Sequence, residues 1–255
     1  MDEKTGHRLQ DRVVVVAGVG GVIGAAVVER FIAEGATVVG IDRTETESQA
    51  REVLVADVRD EQAVIDAVAS IVERYGRIDV LYNNVGPLNP DDHGLESNTV
   101  EIWRDAFRDL VMPVVLTTKH IVPVMRRNES GGAIINTGSF LAGMGAATAQ
   151  TAFSAAKAAV IQVSRDLGIN LAKAGIRVNS ISIGPVETPQ SKAMFEKVGP
   201  EGLKMRLGHV PTGRFARPEE IAGVAAFLSS SDSGYITGTD VVVDGGIRGA
   251  YTIPE

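Results

Sequence analysis

The stretch Val13-Val14-Val15-Val16-Ala17-Gly18-Val19-Gly20-Gly21-Val22-Ile23-Gly24 decides the fold of this chain. Its opening run of small and β-branched apolar residues predicts a short strand buried on both faces, because a strand with one wet face would alternate apolar and polar side chains. Residues 23–34 have helical spacing and end at Gly35, which suits the position after a helix. The stretch therefore predicts a strand, a tight turn and a helix in direct succession.

Strands and helices alternate along the remainder of the chain. Short apolar segments predict further strands at 37–41, 53–56, 80–82, 133–137, 176–181 and 241–243. Helical periodicity predicts helices at 61–75, at 98–127 with an interruption near Met112-Pro113, and at 153–174. This alternation predicts the α/β class, a Rossmann-type doubly wound parallel sheet with helices on both faces. Because no repeat or linker interrupts the pattern, we expect residues 1–255 to form a single domain.

Composition and charge narrow the classes of function. The formal net charge of −7 disfavours binding to nucleic acid or to an anionic membrane surface through bulk charge. The chain contains no Cys, which excludes disulfides, thiolate metal sites and cysteine nucleophiles, and we predict no metal site. The first residues are polar, and no apolar run reaches the ~18 residues that a membrane span requires. We therefore expect a cytoplasmic protein without a membrane partner.

The glycine-rich turn is a candidate phosphate-binding site. Glycines allow the chain to turn tightly and allow amides at the start of a helix to approach a pyrophosphate. The residues that we expect to contact a dinucleotide there are Gly18, Gly20, Gly21, Ile23 and Gly24. Asp42 ends the next predicted strand, where a carboxylate can accept both ribose hydroxyls and would repel a 2′-phosphate, so the sequence favours NAD over NADP. Arg43 weakens that preference, and the alternative is a solvated Asp in an ordinary βαβ unit.

Several separated motifs resemble those of the short-chain dehydrogenase/reductase family, in the same order along the chain. Residues 17–24 correspond to its Thr-Gly-x-x-x-Gly-Ile-Gly with Ala17 and Val22 as departures, and 83–86 correspond to its Asn-Asn-Ala-Gly. Residues 213–222 and 236–246 are similar to its closing signatures. The resemblance covers about residues 11–246 and implies a dinucleotide-binding domain. It adds three residues to the expected cofactor site, which are Asp57, Val58 and Asn84.

The resemblance also implies a catalytic segment of the form Tyr-x-x-x-Lys with a Ser upstream. Lys157 and Ser139 occupy the Lys and Ser positions, but Phe153 stands where the family has its proton-donating Tyr. The family's relay Asn falls on Leu110, and Thr188 fits the position that often contacts the cofactor amide. A Phe side chain has no exchangeable proton, and the loss of a general acid typically costs ~10²–10⁴ in rate.

These departures leave the chemistry open. A Tyr-to-Phe change made for crystallisation would account for Phe153 alone, whereas Leu110, Val22 and Ile183, which replaces a family Pro, indicate natural divergence. Lys157 has two interpretations. It is either a ligand of the nicotinamide ribose, which we favour, or a substitute acid in a desolvated site.

Three residues are further candidates for a substrate pocket, namely His93, Gln150 and Met194. His93 follows the predicted strand at 80–82 in a loop from which it could reach a substrate, but a solvent-exposed loop histidine is the simpler interpretation. Residues 189–211 carry apolar side chains that suit either a mobile lid for an apolar substrate or a helix packed on the core. The small residues of 153–174 suit packing on the sheet or a subunit interface, and the resemblance implies a homotetramer or dimer.

Three hypotheses about function follow. The first is an NAD-dependent oxidoreductase that acts on a secondary alcohol or ketone with an atypical proton donor. The second is a non-redox enzyme, such as a cyclase, isomerase or dehydratase, in which NAD is bound without turnover or is not bound. The third is a catalytically inactive binding subunit. Lys157, Ser139 and Asp42 favour the first two, Phe153 and Leu110 favour the last two, and we prefer the first because most cofactor-binding residues are retained.

Overall fold

A computed structural model describes residues 7–86, 88–145 and 150–250, but not the side chains of Gln190, Met194 and Phe195. The described strands are β1 Val13–Ala17, β2 Thr37–Asp42, β3 Glu52–Val55, β4 Val80–Asn83, β5 Gly132–Ser139, β6 Ile176–Ile183 and β7 Asp240–Val243. The described helices of two turns or more are α1 Val22–Ala33, α2 Glu61–Tyr75, α3 Val100–Leu110, α4 Met112–Met125, α5 Thr151–Leu171, α6 Pro189–Gly208 and α7 Pro218–Ser229.

The strands form one parallel sheet of the predicted doubly wound type. In the described ranges the sheet has seven strands in the order β3-β2-β1-β4-β5-β6-β7. The chain winds outward from β1 to β3 and then returns to β4 on the other side of β1. The order therefore reverses between β1 and β4, and such a reversal leaves a crevice at the carboxyl ends of the strands.

The sheet is covered on both faces, which explains the uninterrupted apolar sequence of β1. Successive strand residues point to opposite faces. Val14 and Val16 belong to the core shared with α1 and α7, whereas Val13 and Val15 belong to the core shared with α2 and α4. Every β1 residue is consequently buried, as the apolar composition of the run predicted.

Several predicted boundaries change in the structure. β5 and β6 are longer than predicted because they pair with each other through Ser139 and Ile183 at their ends. The interruption predicted near Met112-Pro113 is confirmed, since α3 ends at Leu110 and α4 begins at Met112. Pro113 lies in the first turn of α4, where a backbone N–H would have no partner within the helix. α5 begins two residues earlier than predicted, at Thr151. Residues 189–208 form α6, which is broken at Gly199 with φ 70°.

Candidate active site

The carboxyl ends of four neighbouring strands bring most of the candidate residues together. β1 leads into the loop at 18–21, β4 leads into Asn84, β5 ends at Ser139, and β6 leads into 184–188. In open α/β sheets ligands bind at this edge, next to the point where the strand order reverses. The fold thus places the glycine-rich turn and the catalytic segment on one side of the molecule.

The glycines of the 18–24 loop have two different roles. Gly18 has φ 86°, and a Cβ there would lie 2.4 Å from the carbonyl oxygen of Asn84. A Cβ on Gly24 would lie 2.1 Å from the carbonyl oxygen of Gly18, so close packing of α1 on the loop requires both glycines. A Cβ on Gly21 would instead find its nearest neighbour 3.9 Å away, at Nδ2 of Asn84. Because no side chain caps α1 at Gly21, the open space and the free amides there suit a phosphate group.

Ile23 and Val22 at the start of α1 differ in the exposure of their side chains. The Ile23 side chain is half-buried and packs against the core, while its backbone amide lies in the first turn of α1. Val22, which replaces a family glycine, is the first residue of α1 and is 37% exposed. Its side chain therefore points away from the core and leaves the packing of the loop intact.

The Asp42 carboxylate is oriented toward the glycine-rich loop. Its Oδ2 accepts a hydrogen bond from the Gly20 amide at 2.9 Å, and its Oδ1 accepts one from the Arg43 amide at 2.8 Å. The Thr46 side chain also lies beside Gly20. A Cβ on Gly20 would be 3.0 Å from both the Thr46 Oγ1 and the Asp42 Oδ2. Each carboxylate oxygen retains acceptor capacity for a ribose hydroxyl. The geometry fits the ribose-binding role that we predicted for Asp42.

Asn84 connects the glycine-rich loop to β5. Its Nδ2 donates a hydrogen bond to the carbonyl oxygen of Gly18 at 3.4 Å, and its Oδ1 accepts one from the Thr137 hydroxyl at 3.3 Å. The side chain therefore spans the crevice between β1 and β5. It positions the loop and can contact a ligand in the crevice.

Asp57 and Val58, which follow β3, make structural contacts. Val58 is buried in the core. The Arg59 guanidinium donates to Asp57 Oδ2 at 2.6 Å, and these hydrogen bonds hold the pKa of Asp57 below its usual value. Arg59 also donates to Asp109 of α3 at 3.0 Å. The Asp57 carboxylate thus joins the end of β3 to α3 through Arg59.

Lys157 is buried at the end of β5. The residue is 5% exposed. Its Nζ atom donates a hydrogen bond to the carbonyl oxygen of Thr137 at 2.8 Å, and this bond fixes the position of the side chain. Burial lowers the pKa of Lys157 to about 8. An ammonium group has three donors, so two remain for a ligand. The group can bind ribose hydroxyls and can also exchange a proton near neutral pH.

Phe153 lies beside Lys157 but cannot exchange a proton. The Lys157 Nζ lies 5.9 Å from the centre of the Phe153 ring, within the range of a cation–π interaction. The ring is half-buried and packs against an apolar cluster that includes Leu110 and Val114. The ring therefore stabilises the charged form of Lys157, whereas burial favours the neutral form.

Leu110 fills the position that the resemblance assigned to a relay Asn. It is 2% exposed, and a Cβ on Gly86 would lie 2.1 Å from its Cδ2 atom. The side chain is therefore in direct contact with the backbone of Gly86, which has φ 108°. An apolar group occupies this place instead of a side chain that could hold a water molecule.

Ser139 is buried at the end of β5 with its hydroxyl partly engaged. Its Oγ accepts a hydrogen bond from the Leu141 amide at 3.3 Å and caps a short 3-10 helix, Phe140–Gly143. Among the described residues, the Ser139 hydroxyl donates no hydrogen bond. The Ser139 hydroxyl is consequently free to donate to a substrate oxygen.

Four candidates from the sequence remain, namely Thr188, His93, Gln150 and Met194. Thr188 caps α6, since its Oγ1 accepts from the Ser191 amide at 3.1 Å, while its hydroxyl hydrogen stays available. His93 is exposed in the loop before α3, as the simpler interpretation held. Gln150 precedes α5 with φ 148° and makes no capping bond. Met194 lies outside the described side chains.

Sequence reasoning missed three residues that hold this site together. Thr137 binds Lys157 through its carbonyl oxygen, and Arg59 holds Asp57. Asp92 contributes its buried carboxylate to the first turn of α5. The contacts of Thr137 with Lys157 and of Asp92 with α5 join segments 20 and about 60 residues apart, so no local pattern indicates them, whereas Arg59 lies only two residues from Asp57 and could have been found from that spacing.

Comparisons with known proteins identify the class. A family model described as enoyl-(acyl carrier protein) reductase matches residues 18–248. The 3-oxoacyl-[acyl-carrier-protein] reductase of Thermotoga maritima is 34% identical over 94% of this chain and 99% of its own. The 7alpha-hydroxysteroid dehydrogenase of Bacteroides fragilis is 31% identical over 94% of this chain and 96% of its own. The chain belongs to the short-chain dehydrogenase/reductase family, and within it to the oxidoreductases.

A solved structure agrees with this assignment. The ligand-free aldohexose dehydrogenase of Thermoplasma acidophilum superposes with a TM-score of 0.87 at 28% identity, covering 97% of this chain and 98% of its own. In the described part of the chain, no helix is long and apolar enough to cross a membrane. The same residues contain no group of three His, Cys, Asp or Glu side chains arranged to hold a metal ion.

Proposed function

We propose that this protein is an NAD-dependent oxidoreductase that interconverts a small secondary alcohol and a ketone, with Lys157 as the proton-carrying group. The observation that carries the proposal is the state of Lys157. Its Nζ is buried, is held by the Thr137 carbonyl oxygen at 2.8 Å, and has a pKa lowered to about 8 by burial. A general acid works best when its pKa is near the working pH.

Asp42 supports the choice of NAD. Its carboxylate is held by the Gly20 and Arg43 amides at the end of β2, where it can accept from two ribose hydroxyls. A 2′-phosphate at the same place would meet this negative charge. Arg43 binds Asp42 through its backbone amide, so this hydrogen bond does not depend on its positive side chain.

The chain's own groups can carry out the remaining steps. A bound nicotinamide dinucleotide supplies or accepts the hydride. The Ser139 hydroxyl donates a hydrogen bond to the substrate oxygen and orients it. In the direction of reduction, the Lys157 ammonium transfers a proton to that oxygen, and in the direction of oxidation the neutral amine accepts it. The half-buried Phe153 ring shields the amine from bulk water.

The substrate class is inferred from the relatives and from the surroundings of Phe153. The names of the two relatives refer to a 3-oxoacyl group and a hydroxysteroid, so a ketone or a secondary alcohol is common to both. A cavity of about 220 Å³ adjoins Phe153, and its lining combines apolar side chains, among them Leu88, Ile102, Ala106 and Leu110, with the polar side chains of Asn89, Asp92, Asp105 and Asp109. We infer a small substrate with an apolar part that packs against Phe153 and Leu110.

We also propose that the protein is a cytoplasmic homo-oligomer, a tetramer or a dimer. Exposed apolar side chains on the helices beside the site support this, namely Phe107 and Met112, which are 41% and 40% exposed. A subunit interface would cover such side chains. Light scattering of the purified chain tests this proposal, and a monomeric mass at micromolar concentration would contradict it.

A second function is favoured by a specific observation. Phe153 provides no hydroxyl and Leu110 provides no amide, so two of the family's four catalytic polar groups, its Tyr and its relay Asn, are absent. These replacements favour a non-redox enzyme, or an inactive binding subunit, in which NAD is bound without turnover.

One paired experiment separates these functions. The purified protein is titrated with NADH and with NADPH by calorimetry, and absorbance at 340 nm is then followed with a panel of ketones and secondary alcohols. We expect NADH to bind more tightly than NADPH and to be turned over. Binding without turnover would favour the second function, and the absence of binding to both nucleotides would overturn the proposal.

A further inference from the structure

The first turn of α5 is capped from a distant loop. α5 follows Gln150, whose side chain makes no capping bond. The Asp92 carboxylate serves instead, because its Oδ2 accepts from the Phe153 amide at 2.8 Å and its Oδ1 accepts from the Ala152 amide at 3.3 Å. Asp92 is 3% exposed although it lies in a loop. A carboxylate in this position satisfies amides that have no helical partner and interacts favourably with the helix dipole.

Asp92 is in turn held by its own loop. The Asn98 Nδ2 donates to Asp92 Oδ1 at 2.6 Å. The Asn98 Oδ1 accepts from the amides of His93 and Gly94 at 3.0 and 3.2 Å. Residues 92–98 thus form a closed unit directly before α3. The same carboxylate therefore connects the entrance of α3 to the start of α5.

This connection lies beside the candidate active site. Phe153 is the third residue of α5, and Lys157 follows one turn later on the same helix. Asp92 and Phe153 also line the same cavity of about 220 Å³. Lys157 lies on α5 and Thr137 lies on β5, and their hydrogen bond between Nζ and the carbonyl oxygen is 2.8 Å long. A shift of the first turns of α5 relative to β5 would therefore change this bond.

We propose that Asp92 is a positioning residue whose carboxylate holds the first turn of α5 and thereby sets the placement of Phe153 and Lys157. The loop before α3 then acts on the active site through the backbone of α5, because both carboxylate oxygens of Asp92 accept hydrogen bonds from amides of that helix. Among the described residues, Asp92 is the side chain that bonds the amides of Ala152 and Phe153. The part of the proposal that concerns nucleotide affinity rests on the proposed function.

The test compares Asp92→Asn with Asp91→Asn in the full-length protein. Both substitutions remove one loop carboxylate, but Asp91 is exposed and its side chain bonds neither amide of α5. Three quantities are measured: amide hydrogen exchange of the α5 first turn, the acetylation rate of Lys157 by acetic anhydride, and NADH affinity by calorimetry. Asn has one acceptor oxygen where Asp92 uses two, so Asp92→Asn leaves one amide of α5 without an acceptor and removes the negative charge at the start of the helix; the loss of such a hydrogen bond typically changes a local equilibrium by roughly tenfold.

We expect Asp92→Asn to speed exchange at the start of α5 by about tenfold, to raise the acetylation rate of Lys157 and to weaken NADH binding. Exchange in α2 and all three quantities in Asp91→Asn should remain as in the parent. Unchanged exchange in α5 would overturn the proposal. Faster exchange with unaltered Lys157 acetylation would also overturn it, since the cap would then be structural alone.

The test still gives an answer if Asp92→Asn does not fold or if the parent does not bind NADH. If Asp92→Asn does not fold, Asn98→Ala leaves the carboxylate in place and removes its support, and it should produce smaller changes in the same direction. If even these are absent, the proposal fails. If the parent binds no NADH, the proposed function fails, while exchange and acetylation still decide the role of Asp92.

Discussion

The Nζ atom of Lys157 lies 5.9 Å from the centre of the Phe153 ring, which precedes it by one helical turn on α5. In the resembled family this pair is a Tyr and a Lys, and the Tyr carries the proton. Here the aromatic ring keeps its place but lacks the hydroxyl, so the buried amine is the titratable group of the pair. Its pKa of about 8 makes it the group whose protonation changes near neutral pH.

Phe153→Tyr should raise turnover by about 10²-fold or more, because it restores a hydroxyl one turn from Lys157. The measurement is the rate of absorbance change at 340 nm with the best ketone of the panel. Phe153→Leu is the matched control, since it removes the ring without adding a hydroxyl, and it should give no gain. Equal rates in the parent and in Phe153→Tyr would show that the missing hydroxyl does not limit turnover.

Lys157→Met should increase stability while it weakens NADH binding. Lowering the pKa from 10.5 to about 8 corresponds to roughly 3 kcal/mol of desolvation cost at pH 7. The lost hydrogen bond to Thr137 offsets about 1 kcal/mol of that gain, so we expect the free energy of unfolding to rise by about 2 kcal/mol. Urea unfolding of both proteins at pH 7 measures this difference.

The same pair of proteins has a defined pH dependence. Between about pH 8 and 10.5 the unfolded parent binds a proton at Lys157 that the folded parent has released, so the parent gains stability as the pH rises. The Met variant lacks this term, and its advantage should therefore shrink through that window. An advantage that is constant from pH 7 to pH 10.5 would contradict burial of the charged amine.

Asp42→Ala should weaken NADH binding by about tenfold and reduce the preference for NADH over NADPH. Two acceptors for the ribose hydroxyls are lost, and so is the charge that repels a 2′-phosphate. Glu47→Ala is the control, because it removes an exposed carboxylate from the segment after β2. Both variants are titrated with NADH and with NADPH by calorimetry. If Asp42→Ala leaves the ratio of NADH affinity to NADPH affinity unchanged, Asp42 does not bind the ribose.

Gly18→Ala and Gly21→Ala should separate folding from binding in the glycine-rich loop. At Gly18 the new Cβ meets the Asn84 carbonyl oxygen at 2.4 Å and the backbone has φ 86°, so we expect a loss of about 3 kcal/mol of stability. At Gly21 the new Cβ has no neighbour within 3.9 Å, so stability should change by about 0.5 kcal/mol or less.

Nucleotide affinity distinguishes the two glycine variants further. Gly21→Ala places a methyl group in the space that we assign to the phosphate, and NADH affinity should fall by about tenfold although the protein remains folded. The measurements are urea unfolding and calorimetry on both variants. If Gly21→Ala binds NADH with the same affinity as the parent, the phosphate does not bind at the first amides of α1.

Much of the fold could be predicted because its signals are local. The run from Val13 to Ala17 indicates a doubly buried strand by its composition alone, and Pro113 marks the start of α4 because a proline lacks an N–H. The boundaries of β5 and β6 were less predictable. Their ends are extended by pairing with each other, and such pairing is not encoded within either segment.

The candidate site divides in the same way. The order of its motifs and the identity of Phe153, Lys157 and Ser139 are properties of the sequence alone, and so is the absence of a hydroxyl at position 153. The tertiary structure alone decided that Lys157 is buried and that Leu110 lies against Gly86. It also decided that Asp92 caps a helix that begins more than fifty residues later. Burial, desolvation and long-range hydrogen bonds arise only when distant segments pack together, so no local pattern can report them.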